Sequence, residues 1–122
     1  MSDALCHCGS GVAAEQCCLP LLRGERQAGT AEQLMRSRYT AFAVGDADYL
    51  WRTWHPRTRP EQVTIDPAVQ WAGLIIVAAS DDVVEFRATY RDRESQRTGT
   101  LHERSRFAVR ARRWFYIDGE VL

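Results

Sequence analysis

Apolar positions recur along this chain with two different periods, and the change between them falls near its middle. From Thr30 to Val44 the spacing is helical: wound at about 100° per residue, Ala31, Leu34, Met35, Ala41 and Phe42 fall in one stripe. Thr30, with Gln33 three residues on, has the form of a capping box, and Gly45 supplies the stop. Arg38 falls in the middle of the stripe, whereas Arg36 points the opposite way. A guanidinium in that place needs a carboxylate or several carbonyls, because an unpaired buried charge is very costly. A second helix is predicted from Asp46, since Ala47, Leu50, Trp51 and Trp54 recur at i, i+3, i+4 and i+7 and Pro56 stops it at His55. Both tryptophans are assigned to the core, and the charged, proline-bounded stretch Arg57 to Pro60 to a loop.

From Trp71 onward the period becomes two. Trp71 to Ala79 is an apolar, β-rich run, Val83 to Arg91 and Gly99 to Arg110 alternate, and Trp114 to Asp118 is a short aromatic strand. Asp81-Asp82 and Asp92 to Thr98 supply turns, so the sheet is expected to be antiparallel with the two helices on one face, an α+β domain. Within the third strand Leu101, Glu103, Ser105, Phe107 and Val109 share the core face, and His102, Arg104, Arg106 and Arg110 the other. Glu103 on the inner face and Arg38 in the helix stripe are predicted to meet as a buried ion pair, each resolving the burial of the other. On the outer face Arg87 and Arg91 are expected beside His102, Arg104, Arg106 and Arg110, forming a basic patch.

Composition narrows what such a domain can do. The chain has 122 residues, 45% of them hydrophobic, enough for one core. Sixteen basic residues balance sixteen acidic ones, which disfavours a generic electrostatic nucleic-acid binder. Every one of the basic residues is arginine, so lysine Schiff-base chemistry and lysine-dependent phosphate loops are excluded. Nothing before Thr30 has the basic start and apolar run of a secretory signal, and no apolar run approaches ~18 residues. No membrane insertion is expected, and a reducing cytoplasm is the expected location.

All four cysteines lie near the N-terminus, as Cys6-His7-Cys8 and Cys17-Cys18. In a reducing compartment such a group reads as a tetrahedral zinc site, with all four thiolates as ligands of one closed, structural ion. Gly9 and Gly11 permit the sharp turn that lets the thiolates of Cys6 and Cys8 face one ion, and Ser10 can cap a short helical turn through Ala13 to Gln16 that carries Cys17 and Cys18 back to the metal. The spacing resembles the SEC-C motif, a small zinc knuckle. With Leu34-Met35-Arg36-Ser37-Arg38-Tyr39, Tyr49-Leu50, Thr53-Trp54-His55-Pro56, Glu103-Arg104-Ser105-Arg106-Phe107 and Tyr116-Ile117-Asp118-Gly119, the whole chain resembles the YchJ family of bacterial proteins. That resemblance implies an N-terminal SEC-C knuckle, residues 1–24, joined to a cystatin-like cone of the nuclear-transport-factor-two type, residues 25–122, with helices packed on a curved antiparallel sheet. Relatives carry proline where this chain has His7, which is expected at the surface. Some carry a second knuckle after the last strand, and this chain is expected to lack one.

Three classes of function follow, in this order. The first is a non-catalytic adaptor that binds a macromolecular partner through the knuckle or the basic sheet face, with a homodimer as one form of it. The second is a small-molecule pocket inside the cone, lined by Arg38, Tyr39, Trp54, His55, Glu103 and Tyr116. The third is acid-base catalysis by His55, Glu103, Tyr39 or Asp118, the titratable groups that the helix end and the inner strand faces can aim at one cavity. An empty apolar cavity with convergent polar groups favours the second class; a filled cone favours the first.

Overall fold

The computed structural model of the chain describes residues 4–122. After the cysteine segment and a short helix, α1 (Leu19–Leu22), come α2 (Ala31–Val44) and α3 (Ala47–Arg52). The first boundary of α2 is local chemistry: the Thr30 hydroxyl accepts from the Gln33 backbone N–H at 3.1 Å, while the Gln33 side chain reaches back to the N–H of Gly29 at 2.7 Å. Gly45 closes the helix in the left-handed region at φ 84°, donating to the carbonyl of Ala41. Of the predicted stripe Ala31, Leu34, Met35, Arg38 and Ala41 are buried and Phe42 is half-buried at its edge, and the stripe is broadened by Ser37, Tyr39 and Thr40.

The second helix is shorter than its apolar spacing predicts. Asp46 caps it, accepting from the N–H of Tyr49, but it ends at Arg52, where the Thr53 hydroxyl bonds back to the Tyr49 carbonyl. Trp54 therefore lies beyond the helix, in a parallel bridge to Tyr116 on the last strand. Trp51 is half-buried, its indole N–H donating to the Pro60 carbonyl and its ring covered by Arg59, so Tyr49 and Leu50 fill the core in its stead.

Four strands follow as an antiparallel meander: β1 (Val69–Ala79), β2 (Val83–Asp92), β3 (Thr98–Arg110) and β4 (Arg113–Val121). Registers shift at Ala72 and Val77 on β1, and again at Ile117 on β4. Such bulges bend and twist a sheet. Helix α2 packs against β1, β2 and β4, and the inner residues Leu74, Val84, Phe86, Ala88 and Phe107 close the core with Leu34, Tyr49 and Leu50. Val109 departs from its expected place. It is 56% exposed, because β3 runs past the end of the helix layer before its last turn. That turn is made by Ala111 and Arg112, both at positive φ, 52° and 65°, so no glycine, asparagine or aspartate announces it.

Cys6, Cys8, Cys18, Leu21 and Leu22 belong to the same buried cluster as α2 and the sheet. Gly9, at φ 76°, lies with its Cα hydrogens towards the Leu74 carbonyl; a Cβ there would stand 3.1 Å from that oxygen. The N-terminal segment is thus a continuation of the core on the far side of α2.

Candidate ligand cavity and cysteine centre

Between α2 and the inner face of the sheet lies a cavity of about 160 Å³. Its aromatic walls are Tyr39, Phe42, Trp54, Trp71, Phe86 and Tyr116, and Arg38, Glu103 and Ser105 bring polar groups to it. Each arrives by local geometry. Arg38 and Tyr39 project from the buried face of α2, Glu103 and Ser105 alternate along β3, and Trp54 enters because the bridge to Tyr116 turns it inward. The rings pack edge to face: Trp54 on Tyr116 at 5.2 Å between centroids, Tyr39 on Trp71 at 6.1 Å.

Arg38 and Glu103 line this cavity without forming the expected ion pair. Arg38 is 3% exposed, and its Nη1 donates to the Leu50 carbonyl at 2.8 Å and the Thr53 hydroxyl at 2.7 Å. Its plane lies over Tyr116 and Trp54, 4.5 and 5.3 Å from their centroids. The frayed end of α3 supplies a free carbonyl and a hydroxyl closer to hand than the sheet supplies a carboxylate. Burial lowers the Arg38 pKa to about 10, against the raising influence of Tyr116, Tyr49 and Glu103. Glu103 instead accepts from the Ser105 hydroxyl at 2.8 Å and lies across Gly119, where any Cβ would collide with its carboxylate. Burial pushes Tyr116 up to about 12 and raises Tyr39 as well. Among the described residues, one buried side-chain polar atom finds no hydrogen-bond partner: Nε1 of Trp54.

Of the six residues read as a pocket, Arg38, Tyr39, Trp54, Glu103 and Tyr116 line the cavity and His55 does not. His55 follows Trp54 in an extended segment, so the two side chains leave on opposite sides. It faces a separate open cleft with Thr58, Arg106 and Asp118, and its Nδ1 accepts from the Arg57 backbone N–H. The four candidate acid-base residues are therefore divided, Tyr39 and Glu103 in one place and His55 and Asp118 in the other. Asp118, which lies in β4, is held by both Nε and Nη2 of Arg106 at 2.8 and 2.6 Å, which keeps its carboxyl below the usual aspartate range and makes it a poor base. Met35, Ala88 and Leu101 also line the cavity. Their apolar spacing signals burial and carries no sign of empty space beside them.

On the far side of α2 the thiols of Cys6, Cys8, Cys17 and Cys18 all lie within 4.8 Å of one another, a group that could hold a metal ion. Sulfur separations of 3.6 Å (Cys8 to Cys17) and 3.9 Å (Cys17 to Cys18) fit four thiolates around one ion, since metal–sulfur bonds of ~2.3 Å at tetrahedral angles give about 3.8 Å. Hydrogen bonds from Cys18 and Ser10 draw the Cys8 thiol down to about 4, and the same sharing pushes Cys18 up. Arg36 donates to the Cys8 carbonyl at 2.8 Å and Thr40 meets the Cys6 sulfur at 3.6 Å, so α2 braces the cluster. His7 is exposed.

The outer sheet face carries Arg87, His102, Arg104 and Arg106 as expected from strand alternation, with Arg87 opposite His102. Acids are threaded through it. Glu85 takes His102 at 2.7 Å and Arg104 at 3.5 Å, and Asp118 takes Arg106. Arg91 and Arg110 stand towards the strand ends, paired in register with Thr98 and Arg113. No helix among the described residues is long and apolar enough to cross a membrane.

A family profile described as the YchJ middle NTF2-like domain matches residues 30–119. Similar chains include a UPF0225 protein of Streptomyces coelicolor, 48% identical, with 96% of this chain and 95% of that protein covered. Another, from Deinococcus radiodurans, is 47% identical over 93% of this chain and 86% of its own. Among solved structures, a SEC-C motif containing protein from Rhodopseudomonas palustris has 34% identity and a TM-score of 0.84, covering 96% of this chain and 98% of that one. One from Psychrobacter arcticus has 27% identity and a TM-score of 0.75, covering 96% and 82%. With the helix-on-meander cone and the four-cysteine cluster both in place, the chain belongs to the YchJ family, also designated UPF0225.

Proposed function

We propose that this protein is a small-molecule-binding module whose site is the cavity of the cone, stabilised by a structural zinc ion in the N-terminal knuckle. One observation carries the reading: a cavity of about 160 Å³ with mainly aromatic walls, on which the polar side chains of Arg38, Glu103 and Ser105 converge. Concave, mainly apolar sites with a few convergent polar groups are where small molecules bind. Tryptophan fluorescence tests it, since Trp54 and Trp71 both line the cavity. Single-ring compounds are expected to change the emission saturably, and Ala88→Met, which fills the space with a flexible side chain, is expected to abolish the response while keeping the thermal midpoint. If no ring compound gives a saturable change in the parent, the reading is wrong.

In this proposal zinc has no part in chemistry, because four thiolates leave no open coordination position. Cys6, Cys8, Cys17 and Cys18 hold it, in the reducing cytoplasm where thiols stay free. Metal analysis of protein purified under reducing conditions is expected to give one zinc per chain; less than about half an equivalent counts against it.

The adaptor reading keeps one specific support, the exposed Leu5 and Val12 on the knuckle, 67% and 42% accessible. A protein partner or a second copy docking there, or on the basic face, is expected to bind less well when Arg104 and Arg106 are both serine or when Leu5 is aspartate. Unchanged association in both variants removes this reading.

A further inference from the structure

The cavity has a particular chemical signature. It presents two opposite charges that line one space without touching. The hydrogen bonds that hold Arg38 both leave from Nη1, which leaves Nε and Nη2 unspent on a side chain that is 3% exposed. Glu103 uses Oε2 for the Ser105 hydroxyl and keeps Oε1 for something else. A cavity of about 160 Å³ has the capacity of one six-membered ring, since an engineered apolar cavity of about 150 Å³ accepts benzene. The walls are ring faces and edges, which suit a flat occupant.

Charge then selects among flat, ring-sized molecules. An anion would meet Arg38 but be repelled by Glu103, and a cation the reverse. Either would also lose its hydration to walls that are mainly aromatic. A neutral molecule that offers both an acceptor and a donor satisfies both residues and loses least. We propose that the cavity binds an uncharged, planar, ring-sized amide, a lactam or aromatic carboxamide, whose carbonyl receives Arg38 and whose N–H is given to Glu103. This rests on the reading above that the cavity takes a small molecule. It adds which molecules are chosen.

The test uses the full chain labelled with nitrogen-15. Four tryptophans give four indole N–H signals, and Trp54→Phe identifies the one in the cavity. Five probes are titrated: 2-pyridone as the amide, benzene, benzoate, benzylammonium and phenylalanine as a zwitterion. The Trp54 signal is expected to shift and saturate with 2-pyridone, with an affinity at least about tenfold above each of the other four. Glu103→Gln, which keeps the size and an acceptor but removes the charge, is expected to weaken 2-pyridone by about tenfold while leaving benzene unchanged.

If benzene binds as well as 2-pyridone, the polar groups are not read and the amide assignment fails while the pocket stands. If benzoate, benzylammonium or phenylalanine ranks first, the same assignment fails in favour of an ion or zwitterion. If none of the five moves the Trp54 signal at up to about 10 mM, weaker than the millimolar binding that a ring of this size should reach, both the assignment and the pocket fall.

Discussion

Arg38 shows how a single residue can be placed correctly and partnered wrongly. Its position in the stripe of α2 follows from helical geometry, whereas its partner depends on where α3 ends, and the carbonyl and hydroxyl at that end reach it before Glu103 does. The difference changes an expected energy. Breaking a buried ion pair costs ~3–5 kcal/mol, but Arg38→Met removes hydrogen bonds to neutral acceptors and relieves a desolvated charge, so urea unfolding is expected to show a loss of only about 2 kcal/mol. Tyr116 gives a second prediction at this scale. Its folded pKa is raised from 10.0 to about 12 by burial, so above pH 10 the unfolded state gives up the proton first. The stability held below pH 10 is lost as pH rises towards 12. Urea unfolding between pH 9 and 11 is expected to show that alkaline decline, and Tyr116→Phe to show less of it.

Elements were legible in proportion to how local their signals are. The start and stop of α2 are written in Thr30, Gln33 and Gly45, because caps act within a turn. The end of α3 is decided by the Thr53 hydroxyl and by pairing with Tyr116, far along the chain, and helical spacing alone ran through it. The same distance hid the cavity's shape: Glu103 and Arg38 were identified as inward-facing, but emptiness and an unsatisfied indole are properties of packing that no periodicity encodes. His55 was misplaced into the cavity for the related reason that one residue of slip in an extended segment exchanges its faces. The β3–β4 turn left no signal at all, since Ala111 and Arg112 occupy positive φ without the residues that prefer it. Replacing them by Asn-Gly is therefore expected to raise stability by about 1 kcal/mol, read as a higher denaturant midpoint at unchanged slope.

At the scale of the whole molecule, the cysteine cluster and the cone share one hydrophobic core, with α2 as the wall between them. Stripping metal is then expected to lower the stability of the entire domain. A loss of about 3 kcal/mol would lower the thermal midpoint by roughly 10 °C, and calorimetry with and without a chelator would show one shifted transition in place of a separate knuckle melting. Two transitions would mean that the segment and the cone are energetically independent.

The packing of Gly9 against Leu74 also orders events in time. The cysteine segment leaves the ribosome first, but the strand it rests on is made about 65 residues later, a delay of several seconds at ~5–20 residues per second. Through that interval the cysteines lack the strand that backs them in the folded chain, and the zinc ion proposed above, bound early, would hold them together. A chain translated in chelator and supplied with zinc afterwards is expected to yield less folded protein than one translated with zinc throughout, so that metal supply during synthesis, more than the final affinity, sets how much of this protein a cell obtains.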